Sequence, residues 1–280
     1  MASRPQHTLG HGPVDPLSFA VTQRDDKVMD MVNEALSLNR AMLAFQPIVQ
    51  AGATKRVAFY EGLIRLIDNS GRHIPARDFM GVVEDTETGR MIDCCALELG
   101  IKALASEPTL RLSINMSARS IGYRKWMQTL DHGLDGRENI AERLILEITE
   151  TSAMTMPELV ISFMKDMQQR GISFALDDFG AGHTSFRYLR DFFFDILKID
   201  GQFTKNLSQN PDNQVLAQAL ISIANHFEMF TVAENVESAA DANLLIELGV
   251  DCLQGYHFGA PTVSPPWRRD EEPVKRKRFG

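Results

Sequence analysis

Short apolar runs that each stop on a polar or ionisable residue set the strongest limit on how this chain can fold. Ile172-Ser173-Phe174-Ala175-Leu176 lies between Gly171 and the turn-forming Phe179-Gly180-Ala181-Gly182, and it ends on two adjacent carboxylates, Asp177 and Asp178. A run of that kind, between a helix-stopping glycine and a glycine turn, reads as a buried strand. The same ending recurs along the chain. Val57-Ala58-Phe59-Tyr60 leads to Glu61, Leu112-Ser113-Ile114 to Asn115 and Leu144-Ile145-Leu146 to Glu147. Phe194-Asp195-Ile196-Leu197 leads to Lys198, Phe230-Thr231-Val232-Ala233 to Glu234 and Cys252-Leu253 to Gln254. Such repetition implies one rim on which strand ends converge.

Helical patterns fill the gaps between these runs. Thr155, Pro157 and Glu158 give a helix start with capping-box spacing, followed by Leu159, Val160, Phe163, Met164 and Met167 at helical period. Asn210-Pro211 opens another helix, with Val215, Leu216, Ala219, Leu220 and Ile223 on one face. Ser238 caps a third, carrying Leu244, Leu245 and Leu248, and Ile92, Cys95, Ala96, Leu99 and Ala103 outline an earlier one. These stripes are expected to be core. Alternating strand and helix units predict an α/β chain with a parallel sheet, and polar strand ends on one side predict its closure into a barrel. Leu43 to Gln50 and Arg56 to Leu66, joined by Ala51-Gly52-Ala53, predict an antiparallel hairpin at the start. The fold expected is therefore a modified TIM (β/α)8 barrel with one antiparallel strand near its beginning. An open doubly wound sheet would more often carry a glycine-rich phosphate loop, and no G-x-G-x-x-G or Walker-type sequence is present.

At 280 residues the chain has the size of one α/β barrel. Residues 1–22, rich in His, Pro, Gly and Ser, read as a flexible leader. Residues 23–262 read as the barrel, and 263–280, ending Lys275-Arg276-Lys277-Arg278, as a flexible basic tail. A net charge of −8 argues against a duplex nucleic-acid partner. No run approaches the roughly 20 apolar residues that span a bilayer. Three cysteines without zinc spacing suggest a reduced, cytoplasmic protein.

Collected at one rim, Glu61, Asn115, Glu147, Asp177, Asp178 and Glu234 make a hard, all-oxygen set suited to Mg²⁺ or Mn²⁺. Two adjacent carboxylates at a strand exit repel each other and lose hydration, so a cation between them is expected. The acidic groups exceed what one magnesium usually takes from protein, which points to two ions bridged by Asp177 and to phosphodiester hydrolysis. A lysine among carboxylates keeps its charge, so Lys198 is expected to orient water or stabilise developing charge, with Glu234 as ligand and proton acceptor. His183, His226 and His257 are read as packing or surface residues.

These motifs, in order, resemble the EAL domain, the cyclic di-GMP phosphodiesterase family. The resemblance rests on Gln46-Pro47-Ile48, Glu61-Gly62-Leu63-Ile64-Arg65, Asn115-Met116-Ser117, Glu147-Ile148-Thr149-Glu150, Asp177-Asp178-Phe179-Gly180, Lys198-Ile199-Asp200, Glu234-Asn235-Val236-Glu237 and Gln254-Gly255-Tyr256. It implies two Mg²⁺ or Mn²⁺ ions and hydrolysis of cyclic di-GMP to linear pGpG. Glu61, Asn115, Glu147 and Asp177 would hold one ion, and Asp177, Asp178 and Glu234 the other. Lys198 would position the nucleophilic water. Gln46, Leu63, Arg65, Asp200, Glu237 and Gln254 would line the substrate groove. The loop beginning Phe179, Gly180 and Gly182, with Glu150 beneath it, would couple metal binding to a homodimer. The chain departs from the family at Gly62 (usually Ala), Asn235 (usually Gly) and His183 (often Tyr), and none of these removes a ligand. The alternative is a catalytically silent EAL module that binds the dinucleotide or a partner protein.

Overall fold

The computed structural model describes residues 16–181 and 189–268. Its strands are β1 (Ala41–Gln50), β2 (Ala53–Ile67), β3 (His73–Pro75), β4 (Leu112–Asn115), β5 (Leu144–Thr149), β6 (Ser173–Phe179), β7 (Ile196–Ile199), β8 (Phe230–Ala233) and β9 (Cys252–Gln254). The sheet runs β1-β9-β8-β7-β6-β5-β4-β2-β3, and a further β1–β2 pairing closes it into a barrel. β3 lies outside the closed ring, as a short antiparallel addition to the end of β2. β1 is antiparallel to both of its neighbours, β2 and β9, while the other pairs in the ring are parallel. The two-residue link Ala51-Gly52 explains this. A connection so short can only reverse the chain, whereas parallel neighbours need a long crossover.

The main helices are α1 (Pro16–Ser37), α2 (Glu87–Ser106), α3 (Arg124–Leu134), α4 (Glu150–Thr155), α5 (Pro157–Gln168), α6 (Pro211–His226) and α7 (Ala239–Glu247). Asn210 caps α6 through Asn213 N, and Ser238 caps α7 through Asp241 N, as their sequences predict. Thr155 does not cap α5. Its hydroxyl donates to Thr151 O, 3.0 Å away, inside the preceding helix α4, and α5 begins on Met156 without a side-chain cap.

One expected core stripe is shifted and another loses a single residue. On α6 the buried residues are Ala217, Leu220, Ile221 and Ala224, while Val215 is 70% and Leu216 46% exposed and Ala219 is also exposed. On α5, Leu159 faces solvent. The other four expected α5 residues, Val160, Phe163, Met164 and Met167, are buried, whereas the buried face of α6 lies about one position on from the expected one because apolar residues there extend beyond a single stripe.

The ends also differ from expectation. Helix α1 reaches back to Pro16, into the segment expected as leader, and residues 1–15 lie outside the described residues. At the other end Pro265 is buried, and Trp267 packs edge-on against Phe45 at 5.3 Å and Tyr60 at 4.6 Å. The first part of the expected tail therefore covers the outer face of the β1–β2 hairpin, and 269–280 lie outside the described residues.

Inside the barrel, side chains form two rungs. Ile48, Phe59, Ile145, Ala175, Ile196 and Val232 make an apolar cluster separate from the main core between sheet and helices. Two residues along the same strands stand Gln46, Glu61, Glu147, Asp177, Lys198 and Glu234. A strand directs alternate side chains to the same face, so the i, i+2 spacing stacks a polar rung on an apolar one.

Candidate active site

The polar rung is organised around a buried ammonium. Lys198 Nζ lies 2.9 Å from Glu147 Oε2, 2.7 Å from Asp177 Oδ1, 2.7 Å from Glu234 Oε1 and 3.5 Å from Glu61 Oε2. Its contact with Glu147 has hydrogen-bond geometry. Asp177 Oδ1 is close to the ammonium but off the direction of a hydrogen bond, so that contact is an ion pair held by charge alone. Burial works to lower the Lys198 pKa, but Asp177, Glu147, Glu234 and Glu61 outweigh it and hold it well above its usual value. The group is a fixed cation at neutral pH.

The carboxylates respond differently to this one charge. Burial pushes Glu61 up, yet Lys198 and hydrogen bonds from Gln254, Asn115 and Lys198 bring it below the usual range. Gln254 Nε2 donates to Glu61 Oε2 at 2.6 Å, and Asn115 Nδ2 donates to Glu61 Oε1 at 2.8 Å. Because Asn115 spends its amide N–H on Glu61, its carbonyl oxygen is the group left to meet a cation. Gln254 also reaches Gln46 Oε1 at 3.2 Å, and Gln46 Nε2 donates to Gly259 O at 3.2 Å. Gln46 and Gln254 are thus buried beneath Glu61 and orient it.

Glu147 is raised to about 8 by burial, against Lys198 and with repulsion from Glu61 and Asp177. Glu234 is also held well above its usual value, by burial first and then by Asp177 and Glu61, with Lys198 opposing. Asp178 rises to about 6 through burial and the charges of Asp177 and Asp200. One ammonium does not neutralise the carboxylates of Glu61, Glu147, Asp177, Asp178 and Glu234 gathered around it.

A bulge explains how neighbouring residues Asp177 and Asp178 serve the same rim. The β6–β7 register shifts between Leu176 and Phe179, and Asp178 adopts a left-handed backbone with φ of 54°. In a regular strand the two would face opposite sides, and an inserted residue re-aims one of them. Carboxylate oxygens of Asp177, Asp178 and Glu234 then lie within 4.8 Å of one another.

This donor set fits divalent ions. It is all oxygen and carries excess negative charge, and Glu147 Oε1 is buried with no hydrogen-bond partner among the described residues. A cavity of about 760 Å³ opens beside it, with Glu61, Leu63, Asn115, Asp177 and Asp178 in its wall. Arg65 Nη1 donates to Ile64 O at 2.9 Å. Asp200 accepts from Gln202 N at 2.8 Å, and Glu237 pairs with Lys205 at 3.3 Å. Glu150, buried under the loop after β6, accepts from Gly180 N at 3.0 Å. Gly182 and His183 lie outside the described residues.

Sequence reasoning missed the scaffold behind the ligands. Asp93 on α2 accepts from Ser117 N at 2.9 Å and Ser120 Oγ at 2.6 Å, and Ser152 Oγ accepts from Ala118 N at 2.8 Å, which fixes the segment after Asn115. The hydroxyl of Thr204 donates to Glu234 O. Buried Asp93 inside an apolar helix stripe was the one signal available. The structure also accounts for Gly62. A Cβ there would lie 2.7 Å from Ile114 Cδ1, so Ile114 fills the space an alanine would take.

No helix among the described residues is long and apolar enough to cross a membrane. The EAL domain family matches residues 29–261. The signaling protein YkoW of Bacillus subtilis is 32% identical over 87% of this chain and 31% of its own length. The cyclic di-GMP phosphodiesterase PdeF of Escherichia coli is 28% identical over 89% of this chain and 34% of its own length. The chain thus spans about a third of the length of these curated relatives. Among solved structures, the PaMucR phosphodiesterase in complex with c-di-GMP superposes with a TM-score of 0.75 at 24% identity, covering 84% of this chain and 97% of that one. An EAL domain protein from Listeria monocytogenes gives 0.75 at 25% identity, covering 87% and 97%. With the barrel, the acidic rung and the matched motifs in agreement, this chain belongs to the EAL domain family.

Proposed function

We propose that this chain hydrolyses cyclic di-GMP to linear pGpG with the help of two Mg²⁺ or Mn²⁺ ions. The observation that carries this reading is the convergence of Glu61, Glu147, Asp177 and Glu234 on Lys198 within 3.5 Å, with Asp178 and Asn115 beside them. Relatives that carry the name cyclic di-GMP phosphodiesterase support the choice of substrate.

In this reading Glu61, Asn115, Glu147 and Asp177 hold one ion, and Asp177, Asp178 and Glu234 hold the other. Bound there, the ions supply charge to neutralise the phosphodiester and to acidify a water. The chain does the rest. Lys198, fixed as a cation, cannot take a proton, so it orients the attacking water through its N–H groups. Glu234, less buried than Glu147, accepts the proton from that water. Gln254 and Gln46 hold Glu61 in one orientation, Gln46 placed opposite Glu61 by the β1–β2 pairing and Gln254 brought alongside by the β1–β9 pairing. Arg65 and Leu63 on β2, with Asp200 and Glu237 across the rim, bind the dinucleotide.

The test is incubation of the purified chain with cyclic di-GMP and Mg²⁺ or Mn²⁺. We expect pGpG from wild type and none from Glu61→Ala. Intact dinucleotide recovered bound to wild type, with no product under either metal, would replace the enzyme by a receptor.

A homodimer follows from the same family reading. The exposed Val215, Leu216 and Ala219 on α6 support it, because they form an apolar stripe with no partner within the described chain. Sedimentation of wild type against Val215→Glu reads it directly, with a shift to monomer expected in the variant.

A further inference from the structure

Asn235 follows Glu234 at the end of β8, and its backbone is left-handed, with φ of 52°. That conformation suits glycine, and asparagine tolerates it better than most residues. Tolerance alone does not explain where the side chain goes. A Cβ built on Gly201 would lie 2.0 Å from Asn235 Nδ2 and 2.8 Å from both its Cβ and Cγ. The carboxamide therefore occupies the volume into which a side chain at 201 would project, at the top of the neighbouring strand β7 and directly after Asp200. The peptide carrying it is held from below as well, by the hydroxyl of Thr204 on Glu234 O. Asn235 is exposed, and its amide makes no hydrogen bond among the described residues. A carboxamide offers donors and an acceptor side by side. Here both stand at the rim over Gly201 and are left unused by the described residues.

We propose that Asn235 contacts the substrate, its carboxamide hydrogen-bonding a polar edge of the nucleotide that lies over β7 and β8. The inference rests on the cyclic dinucleotide reading and deepens it. In the barrel order β8 stands away from β2, which carries Leu63 and Arg65, so Asn235 serves the half of the ligand remote from that arginine. Gly201 is its partner in this role, since only a residue without a side chain leaves the seat open.

The test uses the full chain, with turnover of cyclic di-GMP under Mg²⁺ and calorimetric binding of the same ligand measured side by side. Asn235→Gly and Asn235→Ala should each raise KM and Kd about tenfold while kcat stays within about twofold. Gly201→Ala, which wedges a methyl group into the seat, should give the same KM defect with Asn235 still present. In the Asn235→Gly background, Gly201→Ala should add nothing, because the seat is then vacant; that lack of additivity is the mark of one shared interaction. If Asn235→Gly keeps wild-type KM and gains thermal stability, asparagine merely tolerates the turn and the inference falls. A fall in kcat with KM unchanged also overturns it, since the residue would then act through Glu234. Should wild type bind the dinucleotide without turning it over, the phosphodiesterase reading fails while the ratio of Kd values still decides this one.

Discussion

The two rungs inside the barrel share strands and the inward face of each strand, yet they are built on opposite physics. The lower one, Ile48, Phe59, Ile145, Ala175, Ile196 and Val232, fills space with hydrocarbon and asks nothing of its neighbours beyond fit. The upper one sits only two residues further along the same strands and is crowded with carboxylates around one lysine. Packing apolar residues there would be simpler and, on general grounds, no less stable, since buried ion pairs often give no net stability over well-packed hydrophobic residues. A protein that keeps a frustrated polar rung directly above a relaxed apolar one retains it for chemistry. The lower rung is the foundation, and the upper is the instrument.

Substitutions at matched positions should pull the two apart. The largest effect is expected at Glu147→Gln, which keeps shape and removes charge. Turnover should fall by about 10²–10³-fold or more, the scale of removing one preorganised electrostatic group. Its melting temperature without metal should hold or rise, because a buried acid held at about 8 is no asset to the fold. A variant that is both active and less stable would dissolve the contrast.

The mirror experiment is Phe59→Ala, two residues below Glu61. The cavity should cost about 3–5 kcal/mol in denaturant unfolding. At low temperature, where the variant is folded, the Mg²⁺ concentration for half-maximal turnover should match wild type. A shifted metal requirement would show that the foundation tunes the instrument.

Asp93 sharpens the comparison from outside the barrel. Burial raises its pKa to about 6 from 3.8, against hydrogen bonds from Ser120 and Ser117. The folded state therefore holds this proton more tightly than the unfolded chain. Its contribution is fully present below about pH 4 and is lost as pH rises through about 6. Asp93→Asn keeps an acceptor for both bonds and should flatten the stability profile between those values, gaining up to about 3 kcal/mol at pH 7. An unchanged slope across that window would refute the assignment.

The smallest effect concerns Gly62. Gly62→Ala restores the residue usual in the family but meets Ile114 Cδ1 at 2.7 Å. We expect a loss of about 1–3 kcal/mol from overpacking, recovered when Ile114→Val is added. A neutral single substitution would mean that Ile114 repacks freely.

The site was readable in the sequence because a strand shows its chemistry at its end. Each apolar run announces where it stops, and the residue at the stop, whether Glu61, Glu147, Asp177, Lys198, Glu234 or Gln254, joins the polar cluster. The early hairpin was legible for the same reason, since Ala51-Gly52 leaves no room for a crossover. What could not be read is what depends on contacts between distant segments. The shared seat of Asn235 and Gly201 and the anchoring of Ser117 by Asp93 join residues tens of positions apart with no periodic signal. Helix faces misled where apolar side chains also covered an outward face, as on α6, and the Thr155 cap misled because α4 ends where α5 begins.

Trp267 carries a practical lesson about where the unit ends. The family match stops at residue 261, but the indole beyond it shields Phe45 and Tyr60, and Arg268 stacks over Phe45 at 5.1 Å. Phe45 and Tyr60 flank, in sequence, the Gln46 and Glu61 that Gln254 joins inside the barrel. A fragment trimmed to the family boundary would strip an aromatic lid from the hairpin and present a sticky patch beside its most consequential glutamate. Expression of the isolated domain should therefore extend through residue 268.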